Sequence, residues 1–170
     1  MRSDPTAAEW GLFQVSYAFL VQELAAAVFY LRRRREPKIQ FGQVFKKSPD
    51  QLLGALELEL GQIDRESYRE IPELRESVCP EIKKLKEWRD PRIHARVDLE
   101  HGISLYDWKT RRRLEMTAPE CREKSDLALS LALRIRGLVH FLLTDLEADE
   151  TLVSELAILL DSPDAQSTTV

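Results

Sequence analysis

The chain has 170 residues, of which 44% are hydrophobic and 32% charged, with a formal net charge of −4. That length suits one domain with a real core and argues against two. The acidic balance argues against a bulk electrostatic nucleic-acid binder, so any RNA contact must come from a local patch. Cys79 and Cys121 suit a reducing compartment and form no metal-ligand spacing. A cytoplasmic location is therefore expected.

In chain order, residues 1–5 read as a loose lead-in. Thr6, with Glu9 three positions on, has capping-box spacing and predicts a helix from there to about Arg35, ahead of Pro37. Apolar residues cover most of its circumference: Trp10, Phe13, Tyr17, Leu20, Leu24 and Val28 among them. Such a helix is deeply buried, or turns one side to a second copy, and a homodimer is expected on this ground. Residues 12–31 with Arg32 to Arg35 behind them also have the look of a membrane span. Gln14, Gln22 and Glu23 interrupt the run, however, and a core helix in a soluble protein with no membrane partner is expected. The start of the chain is a poor signal peptide. The four arginines fit a helix C-terminus, where cations relieve the dipole without any ligand.

A short helix or turn is expected over residues 39–47. Ser48, Pro49 and Gln51 then give an N-cap, a first-turn proline and a capping-box partner, predicting a helix from Pro49 to about Ile63 in which Gly54 marks close packing. Residues 64–90 are charged and helical, with Ile71, Leu74, Val78, Ile82 and Leu85 as the core stripe. Arg75, Glu76, Lys83, Lys84 and Glu87 form the solvated face. Pro80 predicts a break near Cys79, and Pro91 predicts a bend or stop directly after Asp90.

That second break matters for chemistry. Arg89 and His94 are five residues apart, roughly 140° around a straight helix, and would not share a face. A helix distorted at Pro91 turns both into one cleft, joining a forked cation suited to phosphate with a proton exchanger near neutral pH. The alternative is plainer: Arg89 pairs with Glu87 or Asp90, and His94 merely ends the helix.

Past His94, residues 95–99 and 103–106 read as extended. Residues 105–116 read as a hairpin turning near Trp108 to Arg111. Arg111, Arg112 and Arg113 beside Trp108 and Tyr106 combine cations with aromatic faces, which suits single-stranded RNA, although a solvated hairpin tip is the plainer reading. Arg92 and Arg96 follow the motif and, with Arg89, give its edge a positive field suited to phosphate, although solvated side chains are the plainer reading. Thr117 and Glu120 open a last long helix, to about Leu146, with Leu127, Leu131, Ile135, Leu138, Val139 and Leu142 as its stripe. His140 lies beside that stripe and His101 in a loop. A shorter amphipathic helix over 149–160 and a disordered tail over 162–170 complete the reading.

Arg89-Asp90 followed by His94 at a helix end, with helices on both sides and a Phe41-Gly42 stretch upstream, resembles the HEPN superfamily of small helical bundles. The resemblance implies an all-α bundle of four to six helices with a small β-hairpin between the motif and the last long helix, in one domain over residues 1–161. It also implies metal-independent RNA cleavage: His94 as acid or base, Arg89 on the scissile phosphate, Asp90 orienting them, and a 2′,3′-cyclic phosphate product. Arg92, Arg96, Arg111, Arg112 and Arg113 are the further RNA-contact candidates. No cofactor or metal is implied, and the expected partners are RNA, a second copy and a protein antitoxin of toxin–antitoxin type. The same resemblance also covers modules that dimerise and bind nucleotide, RNA or protein without turnover.

Overall fold

The computed structural model describes residues 5–63, 70–94, 96–98, 104–107, 110 and 112–145. The fold is an all-α bundle carrying a small sheet. Its elements are α1 (Pro5–Arg33), α2 (Phe41–Phe45), α3 (Pro49–Gly61), α4 (Glu70–Ile93), β1 (Arg96–Asp98), β2 (Ser104–Asp107), β3 (Arg112–Leu114) and α5 (Ala118–Asp145).

Helix α1 is the centre of the bundle. Phe13, Leu20, Leu24, Val28 and Leu31 are buried in a single core with Leu52, Leu56 and Leu60 of α3, Val78, Ile82 and Leu85 of α4, and Leu131 and Ile135 of α5. Each such side chain contributes about 2 kcal/mol by leaving water. Helices α1 and α5 run parallel, as three cross-links at increasing sequence positions require. Glu9 pairs with Arg122, Ser16 and Ser125 share a buried hydroxyl–hydroxyl bond of 2.8 Å, and Arg136 Nη2 donates to Glu23 at 2.6 Å. Helix α4 is antiparallel to α5, since Trp88 reaches Glu120 and Ser77 reaches Arg134. The apolar window of α1 is long enough to cross a membrane, and half of it is packed inside the bundle.

Several expectations hold. Ser48 and Gln51 cap α3 reciprocally, with Pro49 in the first turn. Thr117 Oγ1 accepts from the Glu120 N–H at 3.3 Å at the start of α5. The hairpin forms with Asp107 opposite Arg112, and β1 adds a third antiparallel strand in the order β1-β2-β3. Arg75, Glu76, Lys83, Lys84 and Glu87 are all exposed.

Others are corrected. Helix α1 starts at Pro5, so Thr6 lies inside the first turn and Glu9 is engaged by Arg122 rather than by a capping box. It ends at Arg33, and α3 ends at Gly61, each two residues short of expectation. A Cβ on Gly54 would meet nothing within 4 Å, so that glycine marks no close packing. His140 is exposed rather than at the core edge. Helix α4 runs unbroken through both Pro80 and Pro91. The expected stripe members Ile71, Leu74 and Leu142 carry side chains outside those described. The helix expected over 149–160 and the tail over 162–170 lie outside the described residues.

Candidate functional site

The last two turns of α4 carry the motif. Their path is helical to Ile93, and the His94 N–H bonds to the Asp90 carbonyl at 3.3 Å, so the final turn closes over the proline instead of opening at it. Pro91 removes only its own donor, and the turn's other bonds persist. The expected stop at Pro91 is absent, and the helix continues to Ile93. On a regular helical path Arg89 and His94 would stand roughly 140° apart.

Arg89 points toward α1. Its guanidinium carbon sits 4.3 Å from the centre of the Tyr17 ring, and Nη1 donates to Asp90 Oδ1 at 3.2 Å. Burial pushes the Tyr17 hydroxyl pKa upward, against a smaller opposing pull from the Arg89 charge. The other carboxylate oxygen of Asp90 takes Lys86 Nζ at 2.6 Å, and Lys86 also reaches Asp50 Oδ1 at 3.0 Å. Hydrogen bonds to Asp90 and then Asp50 hold the Lys86 pKa above its ordinary value. Two cations thus face two carboxylates, tying the C-terminal turns of α4 to the N-terminus of α3. His94 is exposed, just past the helix end.

Arg92 turns inward. It stacks on Trp88 at 4.3 Å, and Nη1 donates to the Trp88 carbonyl at 2.7 Å. Nη2 donates to the Glu115 carbonyl at 3.1 Å and reaches Glu120 at 3.5 Å. Burial lowers its pKa, though a guanidinium stays charged at any ordinary pH. Trp88 Nε1 donates to the same Glu120 carboxylate at 2.6 Å. Arg92 thus joins the motif helix to the strand exit and to α5.

The sheet that follows is ordered by its register. Arg96 pairs with Tyr106, and Tyr106 with Arg113, so these three residues form one cross-strand row. Val97, Leu105 and Leu114 form the adjacent row. Neighbouring positions along a strand alternate sides, so the Arg96, Tyr106 and Arg113 positions share one side of the sheet with Asp98 and Ser104, and the Val97, Leu105 and Leu114 positions share the other with Asp107 and Arg112. Arg113 is exposed, and Thr110 donates to Asp107 Oδ2 at 2.6 Å below the turn. Arg112 lies on β3 opposite Asp107, off the cationic row. Arg111, Trp108 and His101 lie outside the described residues.

Motif spacing alone does not identify Tyr17 or Glu120 as the partners of these arginines, because those contacts are between helices distant in sequence, whereas Trp88 stands four residues before Arg92 on the same helix. The Lys86–Asp90 pair was open to discovery, being an i,i+4 pair on one helix. Among the described residues no group of three or more His, Cys, Asp or Glu side chains is placed to hold a metal ion. Comparison with protein-family models, with curated proteins and with solved structures gives no match.

Proposed function

We propose that this chain is a HEPN-like helical module that binds single-stranded RNA without turning it over, using the Arg96–Tyr106–Arg113 row of its small sheet. The Arg96–Tyr106–Arg113 row carries the reading. Two guanidinium groups suit phosphates, and an aromatic ring between them suits an unstacked base, which is how strand-binding sheets hold RNA. The register supports it further, since the Val97–Leu105–Leu114 row and the buried Asp107 lie on the other side of the sheet. Arg89 supports the absence of turnover. It is engaged by Tyr17 and Asp90, and on a regular helical path it would not share a face with His94, which favours binding without turnover.

A homodimer belongs to the same proposal. Leu12 and Val15 on α1, and Leu129 and Leu133 on α5, are between 38% and 68% exposed and flank the α1–α5 seam on its solvent side. Metal-independent cleavage is the second reading. The exposure of His94 at the helix end favours it, with a second copy supplying the missing cation.

Direct binding tests the proposal. Arg96→Ala and Arg113→Ala should each weaken binding of a labelled oligouridine RNA severalfold, and Tyr106→Ala should cost about 1–3 kcal/mol of affinity. His94→Ala should bind as the parent does. Unchanged binding in the three sheet variants would overturn the assignment.

A further inference from the structure

The charge along this chain is strongly segregated. Residues 32–47 contain seven basic residues and one acidic one, in a protein whose net charge is −4. The segment carries +6, so the remainder carries −10. The dipole of α1 is relieved within its last turn, by Arg32 and Arg33. It does not account for Lys38, Lys46 and Lys47, which lie on the following loop and beyond α2.

The two ends of this segment sit at the two ends of α3, and its short helix α2 packs against α1. Arg32 Nε binds Glu59 Oε1 at 3.0 Å, and Arg35 pairs with the same buried carboxylate, so the segment begins at the C-terminal turn of α3. It ends at Lys47, three residues before Asp50, at the opposite end of α3. The two ends are roughly 14 Å apart along that helix. Asp50 is bound by Lys86, so the segment ends next to the motif turns of α4. Between the two ends lies a line of rings. Phe29 meets Phe41 edge-on at 5.3 Å, and Phe41 meets Phe45 at 5.0 Å. Phe45 is 45% exposed, with Val44 beside it fully buried to anchor the turn. An open groove of about 450 Å³, lined by Glu36, Pro37, Lys38, Ile39 and Gln43, borders the same stretch.

We infer that residues 32–47 form a second RNA-binding surface, in which Lys38, Lys46 and Lys47 hold the phosphates of a single strand and Phe45 stacks on one of its bases. The inference rests on the RNA reading above and extends the path of the strand from the sheet toward the end of α1. Three observations on this segment agree. Its charge is opposite to that of the rest of the molecule and complementary to a polyanion. An exposed ring beside cations matches the way single strands are held, and a duplex would hide the base faces that the ring needs. The apolar window of α1, which would have to enter a bilayer for the arginines to flank a membrane, is half spent on the core.

The test is anisotropy of a labelled oligouridine RNA, titrated with full-length protein across a series of salt concentrations. The substituted lysines lie outside the core, and circular dichroism should show an unchanged fold. Lys38→Ala/Lys46→Ala/Lys47→Ala should lower the slope of log affinity against log salt by about 2, since each single-strand phosphate contact contributes about 0.7. Phe45→Ala should weaken binding by about fivefold or more with the slope unchanged. Parental binding by both variants overturns this surface and leaves the sheet assignment standing. Loss of binding only in the sheet variants does the same. No RNA binding by the parent protein removes both. Preferential, lysine-dependent binding to phosphatidylserine vesicles over RNA also overturns the inference.

Discussion

Cys79 lies on the buried side of α4, and burial pushes its thiol pKa up to about 11. The thiol therefore stays protonated in the folded state while an unfolded chain releases that proton near pH 8.5. Its contribution to stability is complete below that pH and is lost as pH rises toward 11, because the unfolded state then binds fewer protons. Alkylation by iodoacetamide at pH 8 should be negligible for Cys79 in folded protein and rapid in urea. Glu59 offers a second test at this scale. It is 4% exposed and is held by Arg32 and Arg35, both more exposed than it. Removing both arginines strands a buried carboxylate, whereas Glu59→Gln leaves cations that water can reach. Arg32→Met/Arg35→Met should therefore cost about 3 kcal/mol in urea unfolding, and Glu59→Gln clearly less. The sequence made some of this legible. The alternative pairing of Arg89 with Asp90 is what the fold contains. The stacking of Arg89 on Tyr17 was not legible, since it joins residues 72 positions apart.

At the scale of elements, local grammar was legible wherever a side chain bonds its own backbone neighbourhood. Ser48, Gln51 and Thr117 cap the helices that their spacing predicted, and β2 and β3 pair on either side of residues 108–111, where the turn was expected. The prolines were misleading for a physical reason. An interior proline costs about 3 kcal/mol, and the buried Val78, Cys79, Ile82 and Leu85 each contribute about 1.5–3 kcal/mol only if α4 continues past Pro80. Packing wins that sum, and the helix stays whole. Pro80→Ala should accordingly stabilise the protein by about 1–3 kcal/mol, read as a higher urea midpoint with an unchanged slope. Pro91, within one turn of the helix end, should give a smaller gain.

For the molecule as a whole, the apolar α1 helix was legible as the centre of an all-α bundle, while its parallel pairing with α5 was not. That pairing rests on Glu9–Arg122, Ser16–Ser125 and Glu23–Arg136, none of which any periodicity announces. It leaves Leu12, Val15, Leu129 and Leu133 on one outer surface. Leu133→Asp should convert a dimer to a monomer in analytical ultracentrifugation without changing the helical signal. The central proposal is that the protein binds RNA and does not cleave it, with Arg89 engaged by Tyr17 and Asp90 rather than by a phosphate. The most direct measurement is incubation of the purified protein with end-labelled single-stranded RNA in EDTA, read on a denaturing gel beside a binding titration of the same sample. The account predicts saturable, salt-sensitive binding with full-length RNA recovered. Fragments ending in 2′,3′-cyclic phosphate, lost in both Arg89→Ala and His94→Ala, would contradict it.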